Sequence, residues 1–473
     1  MKDGEPQEAY VRQMSEQQQI YVKAAESLAQ FRATVAERPV APQTDLDTIR
    51  DGFGTTLPLD PSPPEAVLEE LMRAADPGLT ASVGPRYFGF VVGGALESAT
   101  AADMLTVGWD QMAFNAVASP AAIAAEQVAG GWAKELLGIP ATASVGFVTG
   151  AQEANTVGLA AARHHVLAAR GWDVEQGGLQ DAPRVRVLVG DERHSTIDRS
   201  LRLLGLGTGS AVPVRTDGNG AIDVGHLEEV LAEADVPTIV CLQLGNVNTG
   251  ACDNLERSCA LAHDHGAWVH VDGAFGLWAA ASPAHRHLTR GMEQADSWGC
   301  DVHKWLNVPY DGGLVFVSRP DVHSAATSMT ASYLVGAGTG GSDLVLNASR
   351  RARGFAVWAA IRELGRSGLA ELVERNCTLA RRFADQLGEA GAEIGNDVML
   401  NQVLVGFGDD TTTDAVIERV QRDGTCWMGG TTWRGRKYMR IAVSNHTTTE
   451  ADVDRSVEAI LRCWRPDGTE AGP

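Results

Sequence analysis

The chain has 473 residues, and its 39 Lys and Arg against 60 Asp and Glu give a formal net charge of −21. A nucleic-acid partner requires a basic surface, so this charge and the lack of a long run of Lys and Arg argue against one. Hydrophobic residues at 44% and charged residues at 21% are typical of a folded globular chain. The first twenty residues contain no apolar signal segment, and no run of about eighteen apolar residues occurs. We therefore expect a cytoplasmic protein without a membrane partner.

Seven cysteines are scattered along the chain and form no C-x-x-C pair: Cys241, Cys252, Cys259, Cys300, Cys377, Cys426 and Cys463. Closely paired cysteines are typical of zinc and redox sites. Their scatter, together with the expected compartment, predicts reduced thiols and no metal site.

Residues 1–80 are predicted to form N-terminal helices followed by an arm. Between residues 7 and 38, apolar side chains recur at helical intervals in a sequence rich in Gln, Ala and Glu. Prolines then punctuate the chain from Pro39 to Pro64. Because such a segment is too thin to fold alone, we expect it to wrap around a partner subunit.

Residues 81–348 have the pattern of a large α/β domain. Short β-rich runs alternate with helical stretches, at 144–150, 184–190, 238–245, 268–273, 296–301 and 312–318. Strands separated by helices predict a mostly parallel, buried sheet. The pattern then changes to a long helical segment, two strand-like runs at 398–407 and 438–445, and a helix at 448–461. Residues 349–473 are therefore predicted to form a small C-terminal α+β domain.

Two segments that end predicted strands carry the strongest chemical signal, HVDGAFG at 270–276 and DVHKW at 301–305. Open α/β sheets bind ligands at the carboxyl ends of their strands. Lys304 lies in an apolar context, where a lysine either extends to solvent or is held as an amine nucleophile. Together with Asp272, which can keep a pyridine nitrogen protonated, this lysine is suited to hold pyridoxal 5′-phosphate as an electron sink.

Two further segments fit such a cofactor. VTGAQEAN ends a strand and opens a helix, so the backbone N–H groups of Gly150, Ala151 and Gln152 can point at a phosphate. GDERHSTIDRS places His194 at a strand end, where its ring can stack on the cofactor and reach a substrate carboxylate. Alone, a segment such as VTGAQEAN is more often an ordinary strand-to-helix turn, and a histidine such as His194 more often has a structural role. Their combination with Lys304 favours a cofactor site.

A series of segments then carries a family resemblance: YFGF (87–90), FNAVASPAAIAAEQ (114–127), VTGAQEAN (148–155), DERHST (191–196), GNVNTGACDNL (245–255), HVDGAFG (270–276), ADSWGCDVHKWLNVPYDGGLVFV (295–317), YL (333–334) and SRRARGFAVWAAIRELGRSGL (349–369). In this order they resemble the pyridoxal-phosphate-dependent group II amino-acid decarboxylases, the relatives of aromatic-amino-acid and glutamate decarboxylases. The resemblance covers about residues 40–463. It implies a type I aminotransferase fold with a mostly parallel seven-stranded sheet, and an obligate homodimer with shared active sites.

The resemblance also implies roles for individual residues. Lys304 is expected to be the Schiff-base lysine, Asp272 the partner of the pyridine nitrogen, and His194 the ring stacked on the cofactor. Lys304, His194 and Asp272 are thus the expected catalytic residues. The residues implied around the rest of the cofactor are Ala274 under the opposite face of the ring, and Ala151, Gln152 and His303 near the phosphate.

Phe90, Met112 and Phe114 fall where members of this family line the substrate pocket, some of them contributed by the partner subunit. Core packing is the alternative for all three. Their apolar character favours an aromatic or aliphatic substrate over an acidic one. We therefore expect decarboxylation of such an L-amino acid to an amine and CO2.

Departures from the family pattern leave the outcome of the reaction open. Family members carry, in a mobile loop, a tyrosine that returns a proton to the substrate carbon, but residues 335–349 contain no tyrosine. Asn246 and Val247 replace a usual pair of threonines, and Gly273 replaces a usual alanine. Decarboxylating oxidative deamination to an aldehyde, or retro-aldol cleavage of a 3-hydroxy amino acid, is therefore an alternative.

A rival interpretation starts from residues 336–341, which match the G-x-G-x-x-G pattern of nicotinamide-dependent oxidoreductases. That motif requires a preceding strand, a following helix and an acidic residue about twenty positions later. Here it lies in a polar connection followed by the basic sequence SRRAR, so a glycine-rich lid is the better interpretation. A non-catalytic protein of the same fold is disfavoured because Lys304, Asp272 and His194 are all present.

Overall fold

The computed structural model describes residues 15–329 and 340–465. Its N-terminal part contains three helices: α1 (Glu16–Thr34), α2 (Leu46–Gly52) and α3 (Pro64–Ala75). Helix α1 begins with a capping box, in which Ser15 and Gln18 each accept a backbone N–H of the other. The predicted N-terminal helix is confirmed from residue 15 onward. Helices α2 and α3 were not expected in the proline-rich arm, although Pro64 at the first position of α3 favours helix initiation.

A seven-stranded sheet forms the centre of the molecule. Its strands are β1 (Ser144–Val148), β2 (Arg186–Gly190), β3 (Ala211–Val214), β4 (Thr238–Gln243), β5 (Trp268–Asp272), β6 (Ser297–Asp301) and β7 (Gly313–Val317). They lie in the order β1-β7-β6-β5-β4-β2-β3. Strands β2 to β6 pair in parallel, and β7 runs antiparallel to both β1 and β6. The predicted α/β fold with a mostly parallel seven-stranded sheet is confirmed.

Eight helices accompany this sheet along the chain: α4 (Glu97–Trp109), α5 (Pro120–Leu137), α6 (Ala151–Ala168), α7 (Val174–Gly177), α8 (Ser195–Leu203), α9 (Val224–Ala232), α10 (Leu255–Asp264) and α11 (Pro320–Thr327). The sheet is buried on both faces. On β2, Val187 and Val189 belong to one hydrophobic core and Leu188 to another. Because successive side chains of a strand point to opposite faces, two covered faces require the continuous apolar runs seen in the sequence.

Strand β3 was missed in the sequence. It contains Pro213, and it pairs only with β2 at the edge of the sheet. Proline removes a backbone donor and is tolerated at such an edge. A short edge strand with a proline therefore carries little of the pattern that marks the central strands.

The C-terminal part begins with the long helix α12 (Gly354–Glu389), which is interrupted at Gly365, where φ is +59°. The elements that follow are β8 (Glu393–Ile394), β9 (Gln402–Gly406), α13 (Asp410–Asp423), β10 (Gly429–Trp433), β11 (Arg436–Ala442) and α14 (Glu450–Trp464). The four strands form an antiparallel sheet in the order β10-β11-β9-β8. This part has a hydrophobic core of its own.

The two strands predicted here correspond to β9 and β11. Strand β8 has only two residues, and β10 has the sequence GGTTW, so neither carries a clear alternating pattern. The limits of the three predicted domains, at residues 80 and 348, stay a prediction. Among the described residues, no helix is both long and apolar enough to cross a bilayer.

Candidate active site

A cavity of about 310 Å³ lies where strands β4, β5 and β6 end and helices α6 and α8 begin. This is the edge of the sheet at which α/β proteins bind ligands. The cavity brings together all eight residues that the sequence predicts for the cofactor: Gly150, Ala151, Gln152, His194, Asp272, Ala274, His303 and Lys304. Segments more than 150 positions apart along the chain therefore converge as expected.

Lys304 and Asp272 provide opposite charges in this cavity. Lys304 follows β6, and its Nζ lies 2.9 Å from Oδ2 of Asp301. Asp272 is the last residue of β5, is 5% exposed, and accepts the Ala274 N–H on Oδ1 at 3.2 Å. The strand ends thus hold an amine and a carboxylate at the same edge of the sheet.

His194 is the N-cap of helix α8. Its Nδ1 accepts the backbone N–H of Thr196 at 3.3 Å and lies 2.9 Å from the Thr196 hydroxyl. Burial lowers the pKa of His194, and the negative charge of Asp272 opposes that change. A neutral imidazole in the cavity is therefore the form that this environment favours.

The N-terminus of helix α6 forms part of the cavity wall. Its N-cap, Gly150, offers no side-chain cap, and a Cβ added there would lie 3.0 Å from both Asp301 Oδ1 and His303 Cε1. A glycine at this position lets a carboxylate and an imidazole approach the first turn closely. Helix N-termini bind phosphate groups through their free N–H groups and positive dipole.

Asp301 is a site residue that the sequence reasoning missed. Its buried carboxylate accepts the Ala151 N–H at 2.5 Å and contacts Nε2 of His303 at 3.3 Å, in addition to Lys304. It therefore connects the end of β6 to the start of α6. The signal was present, because Asp301 opens the DVHKW segment three positions before the lysine.

Arg440 was also missed, and no local signal could have revealed it. It lies on β11 of the C-terminal sheet, and its Nη1 donates to the carbonyl of Val247, a residue of the cavity wall, at 3.2 Å. Burial lowers the pKa of the guanidinium. This contact joins residues 193 positions apart, so only the fold shows it.

The three residues predicted for the substrate pocket do not line the cavity that this chain forms. Phe90 is 63% exposed, has φ of +51°, and stacks on Trp427 with 5.3 Å between the ring centroids. Met112 is 40% exposed and Phe114 is half-buried. Because the side chains of Phe90 and Met112 are exposed, packing in the core of this chain is excluded for both. Their role in a pocket completed by a partner subunit stays a prediction.

The chain matches a known protein family over most of its length. The family described as the pyridoxal-dependent decarboxylase conserved domain matches residues 47–407. The chain belongs to this family. It is 27% identical to tryptophan decarboxylase 1 of Oryza sativa subsp. japonica, over 93% of this chain and 92% of that protein. It is 28% identical to the aromatic-L-amino-acid decarboxylase of Bos taurus, over 92% and 93%, and 25% identical to a phenylacetaldehyde synthase of a Rosa hybrid cultivar, over 75% and 72%.

Solved structures confirm the fold of this family. The crystal structure of Oryza sativa TDC with PLP and tryptamine superposes with a TM-score of 0.89 at 24% identity, covering 96% of this chain and 99% of that one. Rhodiola rosea 4-hydroxyphenylacetaldehyde synthase gives a TM-score of 0.84 at 21% identity, covering 96% and 98%. By its family match, the chain is a pyridoxal-phosphate-dependent carboxy-lyase, and pyridoxal 5′-phosphate is its cofactor.

The residues of the cavity fit this cofactor. The amine of Lys304 would hold its aldehyde carbon, Asp272 would hold a proton on the pyridine nitrogen, and the first turn of α6, opened by Gly150, would receive the phosphate. When bound, the cofactor supplies an electron sink for bond cleavage at the substrate Cα. His194 offers a flat, neutral ring in the same cavity.

Replacing Lys304 by Ala should abolish covalent attachment of the cofactor and the yellow colour of the purified protein, because Lys304 is the amine that lines the cavity. Borohydride reduction followed by peptide mapping locates the attached group. Lys437→Ala, on strand β11, is the matched control and should keep the label. A label on a different lysine would contradict the assignment.

Replacing Asp272 by Asn should leave the cofactor bound but lower kcat by about a hundredfold to a thousandfold, because an amide does not stabilise a protonated pyridine nitrogen. Steady-state kinetics with a saturating substrate measure the loss. Asp296→Asn is the control, since Asp296 is also buried but accepts the Val269 N–H at the opposite end of the sheet. A kcat within about threefold of the parent would show that Asp272 has only a structural role.

Proposed function

We propose that this protein decarboxylates an aromatic or apolar L-amino acid to the corresponding amine and CO2. The observation that carries the proposal is the convergence of Lys304, Asp272 and His194 on one cavity at the carboxyl edge of the sheet. The names of the relatives add support, because they include decarboxylases of tryptophan, tyrosine and DOPA.

A partly buried positive charge beside the cavity supports an amino-acid substrate. The guanidinium of Arg440 adjoins the cavity wall at Val247. A cation in a desolvated site attracts a carboxylate more strongly than one at the surface. His194 presents a further polar group in the same space, and a substrate carboxylate is its natural partner.

The substrate side chain would occupy a pocket completed by a second subunit. Phe90 and Met112 expose apolar surface and do not reach the cavity of their own chain. An aromatic or aliphatic side chain is the group that such a surface recognises. We therefore place Phe90, Met112 and Phe114 at shared active sites of a homodimer. We also propose that this homodimer works in the cytoplasm.

A second candidate function is decarboxylating oxidative deamination to an aldehyde. Residues 335–349 contain no tyrosine to return a proton to the substrate carbon, and two relatives are named phenylacetaldehyde synthases. Residues 335–339 of this segment lie outside the described residues, as does the Tyr333-Leu334 pair. Without the tyrosine, the proton would come from Lys304 Nζ, His194 Nε2 or water.

Product analysis distinguishes the two functions. Incubation with a panel of twenty amino acids should identify an aromatic or apolar substrate, and mass spectrometry should detect its amine with an equal amount of CO2. Aldehyde, ammonia and peroxide formed in air but not under nitrogen would establish the oxidative outcome instead. Products that retain the carboxylate would contradict both and favour retro-aldol cleavage or transamination.

Replacing Leu105 by Glu should weaken the homodimer, because helix α4 carries a cluster of exposed apolar side chains. The exposed fractions of Leu105, Val107 and Trp109 are 50%, 62% and 52%. Sedimentation velocity over a range of concentrations measures the dissociation. Leu203→Glu, at a leucine of helix α8 that is 66% exposed, is the control. A fully active monomer of the parent protein would exclude shared active sites.

A further inference from the structure

A continuous chain of hydrogen bonds, which we call the relay, runs from the buried core of the sheet to the partly buried imidazole of His194. It crosses strands β5 and β6 and helices α6 and α8. Its members, in order, are Trp268, Ser297, His270, Asn155, Thr196 and His194. Of these, Trp268, Ser297, His270 and Asn155 are at most 1% exposed.

The first part of the relay has a fixed donor direction. The indole of Trp268 can only donate, and its Nε1 lies 2.9 Å from the Ser297 hydroxyl oxygen. The amide oxygen Oδ1 of Asn155, 3.1 Å from Nε2 of His270, can only accept, so Nε2 carries a proton. Burial lowers the pKa of His270 to about 3, so this imidazole is neutral and its Nδ1 is an acceptor, to which the Ser297 hydroxyl donates over 2.9 Å.

The second part of the relay continues with the same order of donors and acceptors. Nε2–H of His270 donates to Oδ1 of Asn155 at 3.1 Å, which leaves the amide NH2 of Asn155 to donate to the Thr196 hydroxyl at 3.3 Å. Thr196 then donates its hydrogen to Nδ1 of His194 at 2.9 Å. The backbone N–H of Thr196 also points at Nδ1, at the longer distance of 3.3 Å, and favours an acceptor there.

We propose that this relay, which starts at the indole of Trp268, fixes His194 as the neutral tautomer with its proton on Nε2, the ring nitrogen left for the cavity. Trp268, Ser297, His270, Asn155 and Thr196 are positioning residues, because they act on the reaction only through His194. This role explains why polar side chains lie in the core of the sheet, where apolar side chains usually pack.

Two glycines provide the space that the relay occupies. A Cβ at Gly158 of helix α6 would lie 2.6 Å from Cε1 of His270, and one at Gly299 of strand β6 would lie 2.7 Å from Oδ1 of Asn155. Such distances are shorter than van der Waals contact. The helix therefore approaches the sheet closely enough for Asn155 to bridge His270 and Thr196.

The tautomer of His194 determines whether its Nε2 can act as a hydrogen-bond or proton donor in the reaction. A neutral His194 with Nε2–H can donate a hydrogen bond to a substrate carboxylate or hold the proton that returns to Cα, a use that rests on the proposed function. An imidazolium would need Nδ1 as a donor, which the backbone N–H of Thr196 opposes. The charged groups that act on His194 are Asp272 and Asp301, which favour its protonation, and Lys304 and Arg440, which oppose it.

The test is the Asn155→Asp variant, which keeps the shape of the side chain but replaces its donor by an acceptor. The Thr196 hydroxyl should then donate to the new carboxylate and accept from Nδ1–H of His194. Long-range proton–nitrogen NMR spectra of full-length protein with isotope-labelled histidine distinguish the two neutral tautomers without substrate. His194→Gln identifies the His194 signals, in both cofactor-free and cofactor-loaded protein.

We expect Nε2–H in the parent, and Nδ1–H in the variant with a titration midpoint raised by about one pH unit. Nδ1–H in the parent, or an unchanged tautomer and midpoint in Asn155→Asp, would overturn the proposal. If Asn155→Asp does not fold, Thr196→Val should populate Nδ1–H and Thr196→Ser should restore the parent spectrum. Identical spectra for Thr196→Val and the parent would equally overturn it.

A matched pair of serines tests the far end of the relay. Ser297→Ala removes the hydroxyl bonded to Nδ1 of His270, and Ser144→Ala removes one that lies 2.8 Å from Nδ1 of His323, a buried histidine unconnected to His194. Ser297→Ala should populate the second tautomer of His194, and Ser144→Ala should not. Equal spectra for the two variants would remove Trp268 and Ser297 from the proposal. Because these readouts need no turnover, they are independent of the identity of the substrate.

Discussion

The close contact between the end of strand β6 and the start of helix α6 is the constraint on which the cavity depends. The carboxylate of Asp301 reaches across it to Ala151, His303 and Lys304, and Gly150 makes the approach possible by having no Cβ. A Cβ in place of the Gly150 hydrogen would lie 3.0 Å from the Asp301 carboxylate and from the His303 ring, so these side chains would have to shift. The contacts of Asp301 with Ala151 and with Lys304 would then be disturbed together, because one carboxylate makes both.

The cavity holds cations next to carboxylates, although the molecule as a whole is strongly acidic. The chain carries a formal net charge of −21, and Lys304 and the partly buried Arg440 lie in or beside the cavity together with Asp272 and Asp301. Screening by solvent weakens distant surface charges much more than near buried ones. An acidic protein can therefore bind an anionic cofactor and a carboxylate-bearing substrate, because cations near the ligand act on it more strongly than distant surface carboxylates.

The sequence predicted those features that depend on short stretches of chain. Asp272 ends one buried strand and Lys304 follows the end of the next, and parallel strands bring such ends to one edge, so their meeting followed from local pattern alone. Strand β3 was missed because it is a short edge strand, and its Pro213 weakens the sequence pattern that marks a strand. Arg440 was missed because it comes from a different sheet, and its contact with Val247 is a consequence of how the two sheets pack. The same holds for the relay behind His194, whose members are ordinary core residues until the fold aligns them.

The burial of the thiols has a consequence for chemical selectivity. Aldehydes add to thiolates as well as to amines, so an aldehyde cofactor entering a protein with seven cysteines faces competing nucleophiles. Six of the seven are buried and Cys252 is half-buried, and burial raises the pKa of Cys241 and Cys300, on strands adjacent to the cavity. These thiols stay protonated and out of reach at neutral pH. The fold thereby directs the carbonyl group to nitrogen, and reversible capture by sulfur does not compete.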